Sequence, residues 1–313
     1  MKILLIALLF PLGSFSQQTY NYKNLVLEGG GVRGLAYAGV FSVLEEKRIL
    51  PQIEKIAGSS AGSIAGLMIC LGYRVKEIDS MMIELPIQKF NDGKGGILGK
   101  YKRFKKDFGV YKGAAFELWL QQLVAAKTDN PQLTFAQLHQ LHLTTPEIYK
   151  DLYCTGTNLS KQQLEVFSYT TTPDIPLALA VRISGGVPLY FEPVALDNNL
   201  KKIKKTDSVS FVNYYVDGGM LCNYPISMFD TCTENALNPL LCDKLKFNTQ
   251  TIGIKLERPQ QIDSLNNNSI KIPAYDINKL SEYLSAFANL VMETLSRKYP
   301  NLENEKGRTI YVS

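Results

Sequence analysis

The sequence is poor in histidine: of its 313 residues, only His139 and His142 carry an imidazole. A metal centre built from several histidines is therefore nearly excluded. Charge is also close to balanced, because 34 basic and 29 acidic residues leave a net charge of +5. Such a mild excess does not indicate nucleic-acid binding unless the basic residues are concentrated locally. We expect neither a metal site nor a nucleic-acid partner.

Long apolar runs are also scarce, and the run Ile3–Leu12 is too short to span a bilayer. It follows Lys2 and precedes small residues up to Ser16, which is the order of charge, apolar core and small residues in a secretory signal. We predict a signal peptide over residues 1–16, cleaved near Ser16, and a secreted or periplasmic mature protein. The alternative is a buried first strand or helix.

Cysteine is limited to five residues, all of them beyond this leader. An odd number leaves at least one free thiol in an oxidising compartment. A disulfide between Cys232 and Cys242 would close a short loop. Cys70 and Cys154 lie inside apolar runs, which is typical of buried cysteines that act as small hydrophobic residues.

Strand and helix patterns alternate along the rest of the chain, in which 45% of all residues are hydrophobic. Two strand–turn–helix units come first, and the further strands and helices are predicted at 152–155, 164–169, 211–216 and 251–256, and at 116–126, 175–183 and 280–296. This order predicts a three-layer α/β/α fold with a mostly parallel central sheet. Linker-like stretches at 93–99 and 258–273 do not separate two cores, so we predict one domain.

A glycine loop follows the first predicted strand, with Gly29, Gly31 and Gly34 at G-x-G-x-x-G spacing. This spacing fits dinucleotide binding with Glu54 as the ribose ligand, although Glu54 precedes its strand instead of ending it. Together with Gly30, the same loop can expose backbone N–H groups near a helix N-terminus, where they stabilise an oxyanion. A third interpretation is a loop needed only for tight packing.

A G-x-S-x-G pattern is formed by Gly58, Ser60 and Gly62, where an apolar strand gives way to an apolar helix. Small residues around Ser60 permit the sharp turn that presents a nucleophilic hydroxyl. No histidine follows residue 142, and His139 and His142 lie on what the pattern predicts to be an ordinary surface helix. A triad that uses one of them stays open as an alternative, because partner order varies between folds.

Asp217 is the other candidate base for Ser60. It ends the predicted strand 211–216 and is followed by Gly218 and Gly219. Because the carboxyl ends of parallel strands meet at one edge of a sheet, we expect Asp217 to lie near Ser60. The competing interpretation is an aspartate that caps a Gly-Gly bend.

These motifs resemble those of the patatin-like phospholipase family. GGGVRG at 29–34, GSSAG at 58–62 and DGG at 217–219 occur in the family's order, and DGGMLCNYP is similar to its DGGxxxNxP segment. SGGVP and FEP resemble the segment before its aspartate strand, although Gly185-Gly186 stands where small residues such as alanine are more usual. The resemblance implies a patatin-like catalytic domain over 22–256, with 257–313 as a C-terminal helical extension packed on it.

The resemblance implies a lipid acyl hydrolase of phospholipase A or lysophospholipase type, which needs no cofactor. Ser60 would be the nucleophile, Asp217 its proton acceptor, and a phospholipid or other acyl lipid the substrate, through an acyl-serine intermediate. The implied oxyanion hole is formed by Gly29, Gly30 and Gly31 beside the basic Arg33, and the remaining motif glycines are Gly34, Gly58, Gly62, Gly218 and Gly219. The alternative is a catalytically inactive lipid-binding module of the same fold.

Basic residues are concentrated beside apolar ones between Asp92 and Asp107. The six basic residues and their apolar neighbours are Lys94, Lys100, Lys102, Arg103, Lys105 and Lys106, and Ile97, Leu98, Tyr101 and Phe104. This combination suits an anionic lipid surface, so we expect peripheral contact with an anionic membrane. The alternative is a solvated face, which we favour for a second basic cluster at 201–205.

Overall fold

The computed structural model describes residues 20–85, 87–203, 211–233, 245–258 and 307–313, together with single positions at 240, 242 and between 277 and 305. The predicted leader at 1–16 lies outside the described residues. So do most of the helix predicted at 280–296 and most of the linker-like stretch 258–273.

Strands and helices alternate through the first two thirds of the chain. The strands are β1 (Asn24–Leu27), β2 (Lys55–Gly58), β3 (Gly109–Tyr111), β4 (Asp151–Asn158), β5 (Gln163–Phe167), β6 (Leu189–Phe191), β7 (Val194–Leu196), β8 (Asn213–Asp217), β9 (Thr231–Cys232), β10 (Leu245–Lys246), β11 (Thr251–Leu256) and β12 (Thr309–Val312). The helices are α1 (Tyr37–Glu46), α2 (Ala61–Cys70), α3 (Val75–Ile83), α4 (Gly96–Asp107), α5 (Ala114–Thr128), α6 (Phe135–Thr144) and α7 (Leu177–Ser184).

The central sheet has the strand order β12-β11-β1-β2-β4-β8-β7, and β5 also pairs with β4. The pairs from β12 to β4 are parallel, whereas β8 and β5 run antiparallel to β4, and β7 runs antiparallel to β8. This arrangement confirms the predicted α/β class with a mostly parallel sheet. Within the described residues, no helix is both long enough and apolar enough to cross a membrane.

The central strands bury both of their faces. Leu25 and Leu27 of β1 belong to the main hydrophobic core with the helices, whereas Val26 between them packs in a smaller cluster with Ala57 and Ile226. Successive side chains of a strand point to opposite faces, so a strand that is apolar at every position has a partner on each side. This is why the four residues of β1 are all buried.

The direction of β8 corrects one step of the sequence argument. Asp217 was expected to end a strand parallel to β2, but β8 is antiparallel to β4, which is itself parallel to β2. Asp217 pairs with Gly156 of β4, and Gly58 at the end of β2 pairs with Cys154 of the same strand. Asp217 therefore reaches Ser60 from the opposite direction, because β4 extends beyond the end of β2.

Two further expectations differ from the structure. Residues 96–99 were expected to be linker-like but form the first turn of α4. Gly95, just before the helix, and Gly96, its first residue, have positive φ angles of 97° and 53°. The C-terminal extension was expected to be helical, yet its residues Thr309–Val312 form β12, parallel to β11. β-branched Ile310 and Val312 favour a strand there. Arg308 holds β12 in place through two hydrogen bonds of 2.6 Å to Asp230.

A disulfide joins Cys232 and Cys242, and thus closes the loop between them. Cys70, Cys154 and Cys222 carry free thiols. Cys70 and Cys154 are buried, as their apolar surroundings in the sequence predicted, and burial raises the pKa of the Cys70 thiol.

Candidate active site

Ser60 lies at a sharp turn between β2 and α2, with φ 50° and ψ −121°. A non-glycine residue in such a conformation costs about 1–3 kcal/mol, which the surrounding structure must offset. The flanking residues Gly58 and Gly62 must be glycines, because there is no space for a side chain at either position. A Cβ at Gly58 would lie 2.5 Å from the carbonyl carbon of Gly62, and one at Gly62 would lie 2.7 Å from the carbonyl oxygen of Glu28. The G-x-S-x-G spacing therefore permits the turn that aims Ser60 out of the sheet.

Ser60 Oγ donates a hydrogen bond of 2.7 Å to Asp217 Oδ2. The other carboxylate oxygen of Asp217 accepts the N–H of Gly219 at 2.8 Å, and Thr157 Oγ1 donates to the Asp217 carbonyl at 2.8 Å. A Cβ at Gly218 would lie 2.5 Å from the carbonyl carbon of Thr155, so the DGG bend also needs its glycine. The structure thus brings together the two side chains that the sequence singled out.

Burial raises the pKa of Asp217 from 3.8 to about 7, although the hydrogen bonds from Ser60 and from the Gly219 N–H both lower it. The Asp217 side chain is fully buried, so the charged form loses hydration that two hydrogen bonds replace only in part. A carboxylate with a pKa near 7 accepts a proton more readily than one near 4. The environment therefore makes Asp217 a stronger base than an exposed aspartate.

Ser184, the last residue of α7, holds the backbone of Ser60. Its Oγ accepts the N–H of Ser60 at 3.0 Å, and its side chain is fully buried. Two residues later, the carbonyl of Gly186 accepts the N–H of Asp217 at 3.0 Å. The segment Ser184–Gly186 thus contacts both members of the pair. The family resemblance included this segment but gave Ser184 no role, because a serine at the end of a helix has many ordinary explanations.

The glycine loop reaches the same site but does not expose every N–H that was expected. The Gly29 N–H donates to the carbonyl of Asn223 at 2.9 Å and is therefore not free for an oxyanion. Among the described residues, the N–H groups of Gly30 and Gly31 donate to no protein acceptor, and neither does that of Ala61 at the start of α2. Ala61 was missed, although the residue after a nucleophilic serine commonly donates in such folds.

The side chain of Arg33 reaches the end of β11. Its Nη1 donates to the carbonyl of Leu256 at the end of β11 at 3.1 Å, and its backbone N–H donates to Gly30. Gly34 packs against α2, because a Cβ there would lie 2.9 Å from the Cβ of Ala61. Arg33 and Gly34 therefore help to fix the position of the loop.

Glu28 and Asn223 connect the glycine loop to the segment after Asp217. Glu28 Oε2 accepts the Leu256 N–H at 2.7 Å, and Asn223 Nδ2 donates to the Gly29 carbonyl at 2.9 Å. Burial raises the pKa of Glu28 to about 7, against the lowering effects of Lys255 and the Leu256 N–H. The family resemblance included Asn223 in the segment DGGMLCNYP without giving it a role, and Glu28 was missed, since the partners of both residues lie about two hundred positions away.

An apolar cleft of about 310 Å³ opens at Ser60. Its walls combine the glycine loop with side chains of α2, α3, α5 and the β6 segment, including Val32, Leu35, Ile64, Met82, Leu85, Ile87, Phe90, Phe116, Val187, Tyr190 and Phe191. A larger cleft of about 630 Å³ lies between the end of α4 and β7–β8, but it is lined by charged side chains and does not include Ser60. The smaller cleft suits an apolar chain bound next to the hydroxyl.

The histidines lie where the parallel strands begin, at the end of the sheet opposite to Ser60. His139 Nδ1 is 3.0 Å from Asp151 Oδ1, and Asp151 pairs with Lys55 at the start of β2, whereas Ser60 follows its end. The triad alternative is therefore wrong. Glu54 also precedes β2, where it forms a 2.7 Å ion pair with Lys23, so it does not reach a ligand on the glycine loop. This position removes the basis of the dinucleotide alternative.

The described residues contain no cluster of three or more histidine, cysteine, aspartate or glutamate side chains that could hold a metal ion. The donors around Ser60 are hydroxyls and backbone N–H groups with a single carboxylate. What these groups can do together is to move a proton from a hydroxyl to a carboxylate and to stabilise a developing negative charge beside it.

Comparison with known proteins gives a family match and several similar relatives. The model of the family described as patatin-like phospholipase matches residues 25–230. The chain is 35% identical over 213 residues to "Uncharacterized protein YqhO" of Bacillus subtilis (strain 168), a match that covers 66% of this chain and 67% of the relative. "Probable lipid hydrolase 463L" of Invertebrate iridescent virus 6 is 26% identical over 225 residues, which cover 69% and 66% of the two chains.

Among solved structures, VipD from Legionella pneumophila has a similar fold, with a TM-score of 0.52 at 20% identity, over 93% of this chain and 61% of that one. "Uncharacterized protein R571" of Acanthamoeba polyphaga mimivirus is 32% identical over 209 residues, which cover 66% of this chain and 61% of the relative. The chain thus spans less than two thirds of the VipD and R571 chains. On the family match and the identity to YqhO, this chain belongs to the patatin-like phospholipase family.

Proposed function

We propose that this protein hydrolyses carboxylic ester bonds of lipids, as a phospholipase A or lysophospholipase-type esterase. The observation that carries the proposal is the 2.7 Å hydrogen bond from Ser60 to the buried Asp217 at one end of an apolar cleft. The family and a relative named "Probable lipid hydrolase 463L" support a lipid as the substrate. The cleft would hold the acyl chain, with the ester carbonyl beside Ser60.

In the proposed reaction, Ser60 Oγ attacks the ester carbonyl carbon while its proton passes to Asp217 Oδ2. The carbonyl oxygen becomes an oxyanion, which the N–H groups of Gly30, Gly31 and Ala61 are placed to stabilise, each donor contributing about 10²- to 10³-fold. Asp217 then returns the proton to the leaving alcohol, which leaves an acyl-Ser60 ester. A water molecule, deprotonated by Asp217, attacks the carbonyl carbon of this ester, and Asp217 returns the proton to Ser60 Oγ as the bond to the acyl group breaks and the fatty acid leaves.

The test is a mass analysis of the products formed from defined phospholipids, with the unchanged protein and Ser60→Ala side by side. We expect free fatty acid and lysophospholipid from the unchanged protein and neither product from Ser60→Ala. Fatty acid release that persists in Ser60→Ala would rule out the acyl-serine route.

A fluorophosphonate probe separates this proposal from an inactive lipid-binding module. Such a probe reacts covalently only with an activated serine, so we expect one label per chain, on Ser60. The module would bind lipid in the cleft but leave the folded protein unlabelled. Asp217→Asn serves as the matched control, because it keeps Ser60 and the cleft while it removes the base.

We also propose that the protein acts outside the cytoplasm, after cleavage near Ser16. The Cys232–Cys242 disulfide supports this, because disulfides persist mainly in oxidising compartments. The measurement is the N-terminal sequence of the protein recovered from culture medium or periplasm. A protein that stays in the cytoplasmic fraction with Met1 intact would contradict the proposal.

A further inference from the structure

Helix α4 exposes its apolar side chains and buries a charged one. An amphipathic helix of a globular protein normally packs its apolar face on the core. In α4 the buried residue is Arg103, whereas Ile97 and Leu98 are 86% and 83% exposed, and Tyr101 and Phe104 are exposed as well. The apolar face of this helix is therefore turned outward, so the core of the protein does not account for it.

The anchoring of α4 fixes the direction of this face. Arg103 donates from Nε to the Val110 carbonyl at 2.9 Å and from Nη1 to the Lys94 carbonyl at 2.7 Å, so its side of the helix is held against the protein. Ile97, Tyr101 and Phe104 are spaced by four and three residues, and Leu98 precedes Tyr101 by three, so these four residues form one stripe. At about 100° per residue, this stripe lies roughly opposite Arg103 and faces solvent.

Exposed lysines flank the stripe. They are Lys94, Lys100, Lys102, Lys105 and Lys106, and no acidic residue occurs from Gly93 to Lys106. Lysine stems lie along apolar surface while their ammonium groups reach the polar layer above it. An apolar stripe bordered by cations complements a bilayer that has anionic headgroups. It matches a protein partner less well, because most protein interfaces are depleted of lysine.

The helix is next to the mouth of the Ser60 cleft. Lys100 Nζ donates to the Tyr111 hydroxyl at 3.1 Å, the Tyr111 and Tyr190 rings are 4.9 Å apart, and Tyr190 lines the cleft. Val32, another lining residue, is 67% exposed. A surface that met the α4 stripe would therefore also lie close to the opening from which a lipid enters.

We propose that the apolar stripe of α4 and its flanking lysines dock this protein on an anionic lipid bilayer, with the mouth of the Ser60 cleft against the lipid. The docking itself depends only on this surface. Its purpose, the delivery of a lipid from the bilayer to Ser60, rests on the proposed function.

The test uses Ser60→Ala protein, which leaves the vesicles intact, and sedimentation with vesicles of phosphatidylcholine alone or mixed with phosphatidylglycerol. We expect binding to the mixed vesicles that weakens as salt rises. Leu98→Ser in this background should lower binding about tenfold, since it removes most of the transfer free energy of one leucine. The matched control is Leu143→Ser, at a position on α6 that is 61% exposed at the far edge of the sheet.

Two charge-reversal variants give the second comparison. Lys105→Glu and Lys47→Glu change the net charge equally, but only Lys105 is on α4, so Lys105→Glu alone should weaken binding, by about fivefold or more. Equal binding of the two charge variants, or of the two leucine variants, would overturn the proposal. So would equal binding to both vesicle types, or dimerisation without lipid that Leu98→Ser abolishes, which would assign the stripe to a second copy of the chain.

Hydrolysis of a soluble short-chain ester separates this proposal from the proposed function. With Ser60 present, Leu98→Ser should leave that activity unchanged and lower the hydrolysis of vesicle lipid. If the unchanged protein binds vesicles but hydrolyses neither substrate, the docking surface stands and the proposed function fails. If it hydrolyses the soluble ester but does not bind vesicles, the docking proposal fails and the esterase stands.

Discussion

The central sheet has a carboxyl edge, where its parallel strands end, and an amino edge, where they begin. Each of them pairs a buried aspartate with a side chain common in hydrolase sites, yet the two pairs are built differently. At the carboxyl edge, Asp217 accepts from Ser60, which stands on a strained turn beside an apolar cleft. At the amino edge, Asp151 is paired with His139, whose ring stacks on Tyr169 at 3.8 Å. A close acid and partner therefore do not define a reaction site. What sets the carboxyl edge apart is the strained turn at Ser60, the apolar cleft beside it and the nearby N–H groups that have no acceptor among the described residues.

The largest effect is expected from substitutions that break the pair of Ser60 and Asp217 at the carboxyl edge. Under the proposed mechanism, Ser60→Ala and Asp217→Asn should each lower esterase kcat by about 10⁴-fold or more, as removal of a nucleophile or its partner does in serine hydrolases. Initial rates with a soluble ester measure this, and circular dichroism checks the fold. A folded Asp217→Asn protein that keeps a tenth of the activity would assign the base elsewhere.

The next prediction concerns pH. Ser60 is activated when Asp217 is ionised, and burial raises the pKa of Asp217 to about 7. We expect kcat/KM to rise with pH up to about 7 and then to level off, and to fall about tenfold per pH unit below that value. Glu28, whose pKa is also raised to about 7, does not contact Ser60, so the same midpoint should persist in Glu28→Gln. A profile that is flat from pH 5 to pH 8 would contradict Asp217 as the base.

Ser184 sharpens the comparison, because it supports the turn of the nucleophile. Ser184→Ala leaves the buried Ser60 N–H without its acceptor, at a cost of about 1–3 kcal/mol. We expect kcat to fall roughly tenfold at unchanged KM, and fluorophosphonate labelling to slow equally. The matched control is Ser63→Ala. Ser63 Oγ donates to the Ser60 carbonyl, which also accepts two backbone N–H groups. Equal rates in the two variants would show that Ser184 does not position Ser60.

The smallest expected effect is at the amino edge. Replacement of both His139 and His142 by Gln should leave kcat within about twofold, because neither residue is near Ser60. Loss of the hydrogen bond between His139 and Asp151 should lower the free energy of unfolding by about 1 kcal/mol. Urea denaturation and ester hydrolysis on the same preparation measure both quantities. A large loss of activity in protein that remains folded would return the histidines to the mechanism.

Much of this site could be predicted from the sequence, because its motifs are local. Gly58 and Gly62 mark a turn that only small residues permit, and the periodicity correctly placed β4, β5, β8 and β11. Which N–H groups of the glycine loop lack an acceptor could be predicted only in part. Gly29 was expected to contribute, but its N–H is bonded to Asn223, a residue far along the chain. Whether an N–H is free depends on such distant partners, which local patterns do not record.

By itself, the sequence determined which residues had the necessary chemistry: one serine in a glycine turn, a glycine loop, an aspartate before two glycines, and no histidine after residue 142. Only the tertiary structure decided how Ser60 and Asp217 meet. β8 runs antiparallel to β4, the opposite of what the pattern predicted, and the length of β4 still brings Asp217 to 2.7 Å from Ser60. Burial at that point, which no local pattern contains, then raises the pKa of Asp217 toward neutral pH.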